Sequence, residues 1–154
     1  MVNDSLKIKG FYRINVKDGE SVIKDTGWVE NQVVNAGVDS FLLTWLGAGT
    51  GGYKVSHMAL GTGAAPAKTD STLAGETGAR TTVTSSLTND SSSRIILFTG
   101  QFAAGSDMPT GNLANIGLFD ASTSGHMFSG AAYSSMAIQS SFSVLASYAL
   151  HVAN

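Results

Sequence analysis

The sequence predicts an all-β fold with one helix, a β-sandwich of the jelly-roll kind, on three observations. Period-two alternation recurs along most of the chain. Clusters of Gly, Pro, Ser, Asn and Asp separate the alternating stretches. Only one segment carries apolar residues at helical spacings of three and four. About seven or eight strands in 154 residues suit two packed sheet layers, with a closed barrel as the alternative. One domain over residues 1–154 is expected, because chains of about 100–200 residues usually close around a single core.

In the first stretch Leu6, Ile8, Tyr12, Ile14 and Val16 fall on one side and Lys7, Lys9, Arg13 and Asn15 on the other, which is a half-buried strand. Asp18-Gly19 offers a tight turn, and residues 21–29 return as a second strand with a further turn at Asp25-Thr26-Gly27. Val34, Val38, Phe41, Leu42, Trp45 and Leu46 then define one apolar helix face over about three turns, with Asn35 as N-cap and Gly47 closing the helix. Residues 47–52 are too glycine-rich to be regular. Residues 53–60 alternate as a strand, and Gly61 to Asp70 forms a long connection with the Gly and Pro that a loop requires. Further strands are expected at about residues 80–87, 94–103, 113–120, 125–139 and 142–152. The last is the clearest: Phe142, Val144, Ala146, Tyr148, Leu150 and Val152 share one face.

Composition narrows the function. A net charge of −2 leaves no basic field with which to neutralise phosphates, so nucleic acid is not an expected partner. With no Cys, thiolate catalysis and Cys-based zinc sites are excluded. Residues 1–30 lack a signal-peptide pattern and no apolar run reaches the roughly 18–20 residues of a membrane span, so a chain made and kept soluble in a cytoplasm is expected, with no membrane partner. The charged fraction is 13%, about half that of ordinary soluble domains. After Thr81 only Asp90, Arg94, Asp107 and Asp120 carry charge. Interface cores are depleted in charge, so the pattern points to a chain that buries surface against neighbouring subunits.

A search for chemistry finds none at a specific spacing. His57, His126 and His151 stand far apart with no second ligand nearby, and no metal motif occurs. Serines cluster in polar runs and no nucleophile elbow is present. The glycines of residues 47–52 and 61–63 lack the Lys-Ser/Thr ending of a phosphate loop. Asp70, Glu76, Asp107 and Asp120 would have to converge in space to act as a glycosidase pair. The expectation is therefore a non-enzyme with no cofactor, no catalytic residue and no metal ligand.

The order Asn31-Gln32-Val33-Val34-Asn35-Ala36-Gly37, an amphipathic helix, then the run from Met58-Ala59-Leu60-Gly61-Thr62-Gly63 through Pro66, Asp70 and Leu73 to Glu76, resembles tailed-bacteriophage virion proteins. These include capsid decoration (cement) proteins and tail or fibre modules. Asn115-Ile116-Gly117-Leu118-Phe119-Asp120 and Gly125-His126-Met127 continue the likeness, which covers about residues 28–152. One position departs from it: Asn115 stands where such sequences often carry Glu, so no role of that carboxylate is carried over. The resemblance implies a structural module in which Gly61, Thr62, Gly63, Pro66, Asp70 and Glu76 shape a loop that contacts a neighbour. It further implies a homotrimer on the major capsid protein, placed at the capsid surface after assembly in the host cytoplasm. Lys7, Lys9, Arg13 and Lys17 of the first hairpin are the basic residues available to face the capsid, and the charge-poor C-terminal strands would meet between protomers. The alternative is a tail-tip, fibre or receptor-binding module, in which Trp28, Tyr53 or Tyr133 would stack on a host glycan.

Overall fold

The computed structural model describes residues 7–41, 43, 53–89 and 94–153. Its strands are β1 (Lys7–Asp18), β2 (Ser21–Asp25), β3 (Val29–Glu30), β4 (Gln32–Val33), β5 (His57–Gly61), β6 (Glu76–Asn89), β7 (Arg94–Phe102), β8 (Gly111–Phe119), β9 (Met127–Ile138) and β10 (Ser143–Ala153), and a short helix, α1 (Asn35–Gly37), comes after β4. Nine strands run in the order β2-β1-β10-β7-β6-β5-β8-β9-β4, and β3 pairs with β1 off that path. Every pairing is antiparallel. The fold is nearly all β, one curled antiparallel sheet with a short helix.

Strand β6 makes the curl. Its first half pairs with β5, from Gly61↔Glu76 to His57↔Thr82, and its second half pairs with β7, from Val83↔Gly100 to Asn89↔Arg94. One long strand thus belongs to both halves of the sheet, and the halves fold toward each other about it. Tyr12 on β1 then reaches β9: its hydroxyl donates to the Ser129 carbonyl at 3.2 Å and lies 3.1 Å from Ser129 Oγ. Tyr148 on β10 packs beside it with ring centroids 4.6 Å apart.

The main core lies inside the curl. Tyr12, Ile14 and Val16 of β1, Val144, Ala146 and Tyr148 of β10, and Met58, Leu60, Ile116 and Leu118 of β5 and β8 are buried together there. These are the alternating residues of each strand, as period two requires. A second, smaller cluster of Val34, Ala59, Leu73, Phe119 and Met127 lies on the opposite face of β5 and β8. Because both faces of β8 are covered, residues 115–119 are buried without alternation.

The first hairpin forms with Gly19 at φ 58° in its turn, but at Asp25-Thr26-Gly27, where a further turn is expected, the chain instead continues along β1, from Asn15↔Asp25 to Tyr12↔Val29, with Gly27 at φ 64° in the irregularity between β2 and β3. The helical region differs from expectation. Among the described residues Asn35–Gly37 is α-helical, and residues 38–41 and 43 adopt the wider π form. Val34 is the cap and makes no side-chain bond, whereas the Asn35 backbone N–H donates to the Lys68 carbonyl at 2.7 Å. Leu42, Trp45, Leu46 and the glycine loop of residues 47–52 lie outside the described residues. Gly37 rests on the Phe128 backbone so closely that any Cβ would overlap its carbonyl, which fixes the helix against β9. Strand β5 begins at His57, four residues later than the alternation suggests.

Burial of tyrosine makes the fold sensitive to alkali. Desolvation pushes the phenols of Tyr12, Tyr133 and Tyr148 above the ordinary value of 10.0. A raised acid keeps its proton in the folded state, while the unfolded chain releases it near pH 10. Stability from these groups is therefore intact below about pH 10 and lost as pH rises beyond it. Tyrosinate absorbance for these phenols is expected to appear in the same transition as loss of the β-sheet circular dichroism. Ionisation of all of them while the sheet persists would show that they are open to solvent.

Candidate subunit-contact surfaces

Two surfaces are built by the strands named above, and they lie on different halves of the sheet. The first is the outer face of β1, β10 and β7. On β1 the residues that alternate with the buried Tyr12 and Ile14 are Lys9, Phe11 and Arg13. Register places Phe11 beside Ala149, Lys9 beside His151, and Ala149 beside Leu97. The result is an outward groove of about 440 Å³ lined by Phe11, Trp28, Ile95, Leu97, Ala149 and His151, with Thr88 at its edge. Trp28, in the irregular link between β2 and β3, is 49% exposed. Phe11 meets the His151 ring edge-on at 5.3 Å.

Charges rim this groove. Lys9 Nζ lies 3.7 Å from Glu30, both well exposed. Arg13 holds Asp25 through a forked pair, Nε to Oδ1 at 3.0 Å, and that hydrogen bond depresses the Asp25 carboxyl well below its usual range. The predicted basic residues Lys7, Lys9 and Arg13 thus border an apolar face that alternation alone assigns to polar residues. Phe11 is the position where the two-sided pattern misleads.

The second surface is the connection from β5 to β6. Gly61 and Glu76 pair across its base, and the ladder continues with Thr62 N–H to Gly75 O at 3.0 Å and Gly63 N–H to Ala74 O at 3.1 Å. Asp70 accepts the Ala67 N–H at 2.8 Å, so its carboxylate closes a turn with an earlier residue. Pro66 is buried against Gly130, where a Cβ would lie 2.6 Å from the proline ring. The predicted residues Gly61, Thr62, Gly63, Pro66, Asp70 and Glu76 therefore meet in one folded-down loop.

Asn115 ties that loop to the sheet. It is fully buried on β8, and its Nδ2 donates to Ala64 O at 3.0 Å and Ala74 O at 2.9 Å. Gly61 must lack a side chain, because a Cβ there would stand 2.5 Å from Asn115 Oδ1. The neighbours of this amide are carbonyl oxygens, which need donors. A carboxylate would not suit them, which gives a physical reason for amide rather than acid at this position in this chain.

Arg80 organises the adjacent corner. Its side chain, 6% exposed, grips Glu76 at 2.6 Å, donates to Ala121 O and Ser124 O, and stacks on Phe119 at 3.5 Å. Glu76 and Arg80 meet although both lie in a strand, because Gly78 at φ 68° breaks the extended run between them. Asp120 accepts from the His126 backbone at 2.7 Å and faces its ring at 2.9 Å, and Tyr53 meets that ring at a tilt, with centroids 4.3 Å apart. Three of the carboxylates considered for hydrolysis, Asp70, Glu76 and Asp120, are thus each held by a local partner. Burial lowers the His57 pKa, and its Nδ1 lies 2.8 Å from Ser56 Oγ. Of the aromatics considered for glycan stacking, Trp28 and Tyr53 are exposed, but Tyr133 is turned inward with its hydroxyl on Asn115 O at 3.4 Å. Among the described residues no helix is long and apolar enough to cross a membrane. No protein-family model, curated protein or solved structure matches the chain.

Proposed function

We propose that this chain is a non-catalytic protein that binds other protein subunits as an outer component of a tailed-bacteriophage particle, decorating the major capsid lattice as a homotrimer. The observation that carries the reading is the apolar outer groove of β1, β10 and β7 in a chain with only 13% charged residues. An exposed Trp beside Phe, Ile and Leu, rimmed by ion pairs, has the composition of an interface centre with a polar rim. The ordered Gly61-to-Glu76 loop offers a second contact, and the virion assignment itself rests on the resemblance of that loop and of residues 115–120 to virion proteins. In this reading the two halves of the curled sheet act as the layers of a jelly-roll sandwich.

A decoration protein gains contact area only on the assembled lattice, so binding should stabilise shells and not free capsid subunits. Co-sedimentation with shells of the particle that encodes it, with Trp28→Ser and Phe11→Ser as variants, tests this. The native chain is expected to saturate at hundreds of copies per shell, and each variant to bind at least ten-fold more weakly, since truncating a central aromatic costs about 2 kcal/mol or more. A monomer by light scattering that ignores shells would overturn the reading. A few copies confined to the tail would instead establish the tail module, for which the exposed Trp28 supplies a stacking surface.

A further inference from the structure

Among the described residues the ends of the curled sheet are joined at one corner. Residues 29–33 bridge them: β3 pairs with β1 through Phe11↔Glu30 and Tyr12↔Val29, and β4 pairs with β9 through Gln32↔Gly130 and Val33↔Ser129. Beyond that corner, among the described residues, no strand pairs with the edge of β9 over residues 131–138, nor with the outer edge of β2. These two open edges bound one groove of about 560 Å³, with Lys24, Asp25, Thr26 and Val29 on one wall and residues 133–136 on the other. Unpaired backbone groups along strand edges are templates for a further strand.

Charge selects the segment that can lie there. Asp25 is neutralised by Arg13, which leaves Lys24 as the uncompensated charge among the lining residues. Lys24 pairs with the buried Val16, so it sits on the inward side of β2, facing the groove. A second copy adding its own β2 antiparallel in the register centred on Lys24 would bring two Lys24 side chains to adjoining positions, and that repulsion disfavours self-pairing in that register. An extended segment with a carboxylate opposite Lys24 meets no such penalty.

We infer that the seam between β2 and β9 accepts an extended, acidic segment of a partner protein by strand addition. The inference deepens the subunit-binding reading and rests on it for the identity of the partner, but not for the chemistry. The test is nuclear magnetic resonance titration of the full chain with the peptide Thr-Val-Glu-Val-Thr, blocked at both ends, and with its Glu→Lys counterpart. Amide shifts are expected at residues 22–25 and 133–136, with the acidic peptide binding at least about three-fold more tightly than the basic one. Lys24→Glu is expected to reverse that order without changing the spectrum of the free protein elsewhere. Absence of shifts along the seam, shifts confined to the Trp28 groove, or an order unchanged by Lys24→Glu would each overturn the inference. Shell binding lost in Trp28→Ser but kept in Lys24→Glu would leave the decoration reading standing without the seam, so the two fail separately.

Discussion

Asn115→Asp is expected to destabilise the protein by about 3–5 kcal/mol at neutral pH, the range for an uncompensated buried charge. The amide donates to two carbonyl oxygens from opposite ends of the β5–β6 connection, and both would face a carboxylate instead. Against a typical total of about 5–15 kcal/mol, such a loss brings the fold near its margin. Desolvation and the carbonyl dipoles would raise the new carboxyl above its ordinary value near 4. A raised acid favours the folded state only while protonated, so the variant should regain stability as pH falls toward 4. Asn115→Leu separates the two contributions: it removes the donors without adding charge and should cost about 2–3 kcal/mol with no added pH dependence. Urea denaturation at two pH values reads both. A variant as stable as the native chain at neutral pH would mean that the loop is not held by this residue.

Tyr148→Ala should cost about 3–5 kcal/mol, the range for truncating a large buried aromatic. Tyr148 is fully buried on β10 and touches elements from both halves of the curl: Tyr12 on β1, Phe98 on β7 at 6.1 Å, and Phe128 on β9 at 6.3 Å. Its hydroxyl also receives the Asn31 amide at 3.4 Å at the corner that bridges the sheet ends. Truncation therefore opens a cavity between the halves and leaves Asn31 without that partner. Tyr148→Phe keeps the ring and loses only the hydroxyl, with an expected cost of about 1 kcal/mol. A midpoint shift in urea at unchanged slope would measure each loss. Near-equal costs for Ala and Phe would place the energy in the hydrogen bond rather than in the packing.

Much of the fold is legible in local chemistry. Alternation in residues 7–16 and 142–152 identifies the buried faces of β1 and β10, because a strand with one wet face must bury every second residue. A turn residue marks the first hairpin, since Gly19 adopts a positive φ that other residues resist. Apolar spacing marks the helical segment in part, since Leu42, Trp45 and Leu46 lie outside the described residues. Val34, Val38 and Phe41 are compatible with a helix, and the described residues pass from α to π geometry, with Gly37 packed closely on β9. Asn115 stands out in the sequence only as a departure from a pattern, because its partners lie 51 and 41 residues away in the chain.

By itself the sequence determined the strand faces, the turns, the scarcity of charge and the β-rich class, all of which depend on residues close along the chain. Tertiary structure decided the rest: that β6 serves both halves of the sheet, that Phe11 and Trp28 share an outward groove, and that β2 and β9 leave a seam open. These are outcomes of pairing between distant strands, and antiparallel partners are chosen by which faces can be buried together. Periodicity records which residues turn inward. It does not record against which partner they pack.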